Sequence, residues 1–180
     1  MNHRHAEPRP LPVIQAGRGP HDAASADFGR RMEEFYRRVD EAIAAHRPVC
    51  INRGACCRFG QAGHRLYVTD AELAYFLERQ SPSGLRPVGA ADACPYQEGG
   101  QCTARAHRPL GCRIYFCDPA SRSWQGPEYE RRHAELVRIG QESGLEYRYR
   151  EWLAALREGP TGCIGDSTAA RGTSSQTLTA

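Results

Sequence analysis

Lysine is missing from this chain: the 24 basic residues among its 180 are all arginine, set against 21 acidic ones for a formal net charge of +3. Without lysine there is no Schiff-base amine, and no phosphate loop of the Walker kind, whose lysine must reach the β- and γ-phosphates. Also missing is an apolar run near the ~20 residues that cross a bilayer. The opening MNHRHAEPRPLPVIQAG holds no secretory apolar stretch. A cytoplasmic protein without a membrane partner is the expectation. No basic run exceeds two residues, so nucleic acid is not an expected partner either. There is no GxSxG, GRG at 17–19 lacks a strand–helix context, and the ferredoxin run C-x2-C-x2-C-x3-C-P is absent despite Cys94-Pro95. No repeat of solenoid length occurs.

What the chain does have is cysteine, at positions 50, 56, 57, 94, 102, 112, 117 and 163. In a reducing compartment such clustered thiols point to metal ligation or redox chemistry rather than disulfides. CINRGACC groups Cys50, Cys56 and Cys57 around Gly54; CPYQEGGQC sets Cys94 and Cys102 either side of a Gly-Gly turn; Cys112 and Cys117 flank the strand-like Ile114-Tyr115-Phe116. Glycine lets a backbone bend away while its thiols converge, which is what a metal centre asks of a chain. Cys163, alone in a small polar tail, reads as a free thiol.

Zinc takes four tetrahedral ligands, and iron–sulfur clusters are commonly held by four thiolates. Seven clustered cysteines therefore leave two arrangements open: two metals, with His107 or His64 completing the set, or one centre with some thiols left over. His107, between Cys102 and Cys112, is the better-placed histidine in sequence. The Cα atoms of Cys56 and Cys57 are only about 3.8 Å apart. That makes two unstrained bonds to one tetrahedral ion awkward. Arg53, Arg58 and Arg113 sit beside cysteines, where a cation would lower a thiol pKa.

The flanks are helical by pattern. SADFGRRMEEFYRRVDEAIAAHR spaces Phe28, Met32, Phe35, Tyr36, Val39 and Ile43 on a helical period, with Ser25 as the expected N-cap. A strand over 66–68 precedes a helix in which Thr69 and Glu72 have capping-box spacing, ending near Pro82 and Gly84. A third helix is expected from Pro127 to a stop at Gly144. After it a strand-like stretch leads into a helix around Trp152 to Leu156, and both tryptophans, Trp124 and Trp152, read as packing residues. Residues 1–24 and 159–180 read as disordered tails around one domain over 25–158. The expected fold is mainly α with a few short strands, a small cysteine-rich, metal-centred domain wrapped by helices.

CINRGACC followed by ACPYQEGGQCTARAHRPLGCRIYFC resembles the YkgJ-type, or CxxCxxCC, cysteine-cluster family, described as a zinc- or iron-chelating domain. The resemblance covers residues 50–118. It implies Cys50, Cys56, Cys57, Cys94, Cys102, Cys112 and Cys117 as ligands of zinc or iron, the latter including a 4Fe–4S cluster, with Arg108-Pro109 and Arg113 framing them. One departure is plain: Arg53 stands where the family pattern has its second cysteine. Flagellin lysine N-methylases are similar in carrying such a cluster, which makes an iron–sulfur enzyme related to protein lysine methyl transfer the alternative. A structural zinc interaction module is the other.

Overall fold

A computed structural model describes residues 21–50, 54–80 and 93–160, with side chains from Ser25 onward. The fold is mainly helical with a few short strands. Helix α1 spans His21–His46, and the apolar period read from the sequence is its buried face: Phe28, Met32, Phe35, Tyr36 and Val39 are each at most 3% exposed. The helix starts before Ser25, which is therefore no cap, and residues 21–24 are helix rather than tail. Ala23 and Ala24, the best helix formers, put nothing in its way. The rest of the expected N-terminal tail, Pro82, Gly84, Arg53, Cys163 and nearly all of the C-terminal tail lie outside the described residues.

Short helix α2 (Phe59–Ala62) leads to strand β1 (Tyr67–Thr69) and helix α3 (Asp70–Arg79). The capping box forms as its spacing required: Thr69 Oγ1 accepts from the Glu72 N–H at 3.2 Å, and Glu72 Oε2 accepts from the Thr69 N–H at 2.8 Å. Glu72 is 1% exposed and does more than cap. Its other oxygen accepts the Leu110 N–H at 2.8 Å, which pins the start of helix α4 (Leu110–Ile114) to the start of α3.

That short helix corrects the strand expected over 114–116. Leu110 and Ile114 are one helical turn apart and both buried, whereas Tyr115 is exposed. A side-chain cap from another helix supplies what so short a segment lacks by itself. Pro127 is likewise not a helix start. Asp118 caps a tight turn at Pro119–Ser121 through the Ala120 N–H, and helix α5 (Arg122–Glu142) runs on from it with Pro127 inside. Gly144 follows its end with φ +76, as expected. Strand β4 (Tyr149–Glu151) pairs antiparallel with β1, and helix α6 (Trp152–Glu158) follows. The hairpin of β2 (Gln97–Glu98) and β3 (Gln101–Cys102) turns at Gly99-Gly100.

Helix α3 divides two apolar clusters. Ala71 and Tyr75 pack with α1, α4 and α5, while Leu73 and Phe76 pack with Val68, Tyr96, Trp152 and Leu156. Phe76 meets Tyr96 and Trp152 edge to face at 4.8 and 5.0 Å between ring centroids. Each such buried side chain stabilises the fold by about 1.5–3 kcal/mol. Trp124 is partly buried and stacks on His46 at 4.3 Å, so both tryptophans pack as expected. The cysteines belong to the second cluster: Cys94 is inside it, and Cys57, Cys102 and Cys112 pack against its edge.

Candidate metal centre

Three segments distant in sequence meet at the open side of that second cluster. The turn Ala55–Cys57 carries Cys56 and Cys57; the β2–β3 hairpin carries Cys102, with Cys94 just before it; α4 carries Cys112. A backbone bond from the Cys94 N–H to the Cys57 carbonyl, 2.8 Å, ties the first two segments together. Gly54 allows the approach. It has φ +65, and a Cβ there would lie 2.3 Å from the Gly100 carbonyl oxygen.

Gly54→Ala therefore meets two penalties, the left-handed backbone at about 1–2 kcal/mol and a backbone clash that only displacement of the hairpin relieves. Gly63 has φ +68 and nothing within 4 Å, so Gly63→Ala meets the first alone. Thermal unfolding should show Gly54→Ala destabilised by clearly more than Gly63→Ala, and equal losses would mean the loop and hairpin are not in contact.

All seven clustered cysteines, none in a disulfide, line one cavity of about 440 Å³. Cys50 and Cys117 are exposed, Cys56 is exposed beside half-buried Cys57, and Cys94 is buried at the inner end. The Cys57 thiol is hydrogen-bonded to both Cys56 and Cys102, which holds each of these well below 9, at about 6. Cys57 itself is pushed up, first by the Cys102 contact and then by the Cys56 contact. One thiol has one proton, so it serves one neighbour at a time. Burial pushes Cys94 up to about 11 and raises Cys112 as well. Opposing that rise, the indole N–H of Trp152 and the backbone N–H of Tyr96 donate to the Cys94 sulfur, as the Ala104 N–H does to Cys102.

The cation facing these sulfurs is Arg108, whose charge favours the thiolates of Cys56, Cys102 and Cys112. Arg113 is not, contrary to the expectation from its place beside Cys112. It is 4% exposed and turned towards α1, pairing with Asp40 at 2.8 Å, donating to the carbonyls of Ala106 and Arg108, and lying 4.2 Å over the Tyr36 ring. Arg58 does not line the cavity. The histidines also exchange places. His107 lines a separate hollow with Tyr75 and Arg79, whereas His64 lines the thiol cavity, its Nε2 3.0 Å from the Cys56 carbonyl oxygen.

Among the described residues, no group of three or more His, Cys, Asp or Glu side chains stands in position to hold a metal ion. The thiols line the walls and pair with one another. In kind, however, the donors suit a thiophilic metal: Cys57, Cys94, Cys102 and Cys112 share one apolar cluster, and Cys94 and Cys102 accept N–H bonds of the sort that tune iron–sulfur clusters. No helix among the described residues is long and apolar enough to cross a membrane. No family model matches the chain, and neither a curated protein nor a solved structure does.

Proposed function

We propose that this protein binds iron or zinc through the thiolates of Cys56, Cys57, Cys94, Cys102 and Cys112, with Cys50 and Cys117 at the cavity mouth, and that it is a member of the YkgJ-type cysteine-cluster family. The observation that carries the reading is the convergence of three separate cysteine groups on one cavity. Thiolate is the ligand form of cysteine, and the Cys57 contacts and Arg108 both favour it. Adjacent Cys56 and Cys57, too close along the chain for two unstrained bonds to one tetrahedral ion, favour a multi-atom iron–sulfur cluster over a bare zinc ion. When bound, such a group would supply redox or Lewis-acid chemistry. The chain's own part is to supply sulfur, to donate N–H bonds to Cys94 and Cys102, and to place Arg108 against the thiolate charge. Unpaired thiols throughout the described residues support a cytoplasmic location.

Elemental analysis and a visible absorption spectrum of anaerobically purified protein test this. Iron, acid-labile sulfide and a broad visible band are expected. Cys102→Ser should lose at least half of the metal, and Cys163→Ser should lose none. Zinc in a colourless protein would correct the metal, and protein free of both metals would sink the proposal.

A further inference from the structure

We infer that the outer part of the thiol cavity is a second binding site, for a small organic anion with a flat ring. It deepens the reading above, since it shares the cavity with the thiol centre. The whole cavity, thiol end included, is about 440 Å³, within the about 300–1,000 Å³ of pockets that take small molecules. Among the described residues its charged lining is one-sided: Arg65, Arg105 and Arg108 line it with one carboxylate, Glu130. Buried and half-buried arginines elsewhere, namely Arg79, Arg113, Arg132 and Arg150, each hold a carboxylate. Among the described residues no ion pair engages Arg65, which is exposed. The charge of Arg108 is directed at the sulfurs. Arg65 stands outside that exchange, and guanidinium matches a carboxylate or a phosphate in geometry and sign.

The ring is read from the aromatic wall. Tyr67, Tyr115 and Tyr149 line the same cavity yet remain 42, 50 and 41% exposed. They occur in stacked pairs: Tyr67 with Tyr149 at 5.4 Å, and Tyr115 with His64 at 5.8 Å. Exposed tyrosine faces beside arginine give an apolar body and an anionic head each a complementary surface.

Binding of 2-naphthoate, 2-naphthyl phosphate and 2-naphthylmethylammonium to the full chain, followed by calorimetry with metal content measured on the same sample, tests the inference. At least one of the two anions should bind, the tighter one naming the head group, and the ammonium compound with the same ring should not. The variant Arg65→Glu should weaken anion binding about tenfold or more while metal content and thermal midpoint hold. Tyr115→Ala, at a half-exposed position, should weaken it too. Equal binding of the ammonium compound, binding of neither anion, or no change in either variant would overturn the site. Naphthoate bound by metal-free protein would uphold this inference while the metal reading fails; metal-loaded protein that binds no anion would do the reverse.

Discussion

Glu72→Ala is expected to remove a large share of the stability of this fold, whereas Glu72→Gln, whose one amide oxygen can serve only one of the two backbone N–H groups, should lose less and remove a pH dependence. Glu72 is 1% exposed; it accepts from the Thr69 N–H and the Leu110 N–H, each at 2.8 Å, and is hydrogen-bonded to the Tyr36 phenol. Alanine leaves those two buried N–H groups without a partner, at about 1–3 kcal/mol each, and opens a void between α1, α3 and α4. The sum, on the order of 3–6 kcal/mol, is comparable with a typical total of about 5–15 kcal/mol. Because α4 carries Cys112, metal content should fall along with stability.

The pH dependence has a definite sign. Burial, the largest influence, raises the Glu72 carboxyl above its ordinary 4.5 in spite of the hydrogen bonds it accepts. The folded state therefore keeps this proton to higher pH than the unfolded chain does. Its contribution to stability is complete below pH 4.5 and is lost as pH rises through the folded value. Glutamine cannot ionise. Urea midpoints measured from pH 4.5 upward should fall more steeply for the parent than for Glu72→Gln, and parallel curves would show that Glu72 is not buried between these helices.

What could be read beforehand follows the range of the forces involved. Helices α1 and α3 declared themselves through apolar period and through Thr69 and Glu72, which act over one helical turn. Helix α4 did not, because five residues give no period and its cap is a side chain 38 positions earlier in the chain. The pairing of β1 with β4 joins residues about 80 apart, and only the finished fold can show it. The same helix accounts for the exchange of arginines. Arg113 is next to Cys112 in sequence, but successive residues of a helix are turned about 100° apart, so Arg113 faces α1 while Cys112 faces the cavity. Arg108 enters from the turn before α4. The glycines of the cysteine groups pointed to loops that bring thiols together, and all seven line one cavity; which histidine lines it with them was not legible, since both lie within reach in sequence.

Cys57→Ala should raise the titration midpoints of Cys56 and Cys102 from about 6 towards 9, the ordinary thiol value. In both, the Cys57 hydrogen bond is the largest influence; without it burial, which raises them, stands against the backbone N–H and Arg108, which lower them. Iodoacetamide labelling of reduced, metal-stripped protein, followed residue by residue by mass spectrometry from pH 5 to 10, reads the shift directly. The rate at pH 7 is the weaker readout. A rise as large as three units would cut the thiolate fraction about ninetyfold, but a more basic thiolate is intrinsically some sixteen- to thirtyfold more nucleophilic, so labelling would slow only about three- to sixfold. The inflection has no such compensation. Cys57 is half-buried and small, so alanine should cost the fold little, and a lowered midpoint surviving in Cys57→Ala would mean that Arg108 and the backbone donors, not the thiol contact, hold these cysteines ready as thiolates.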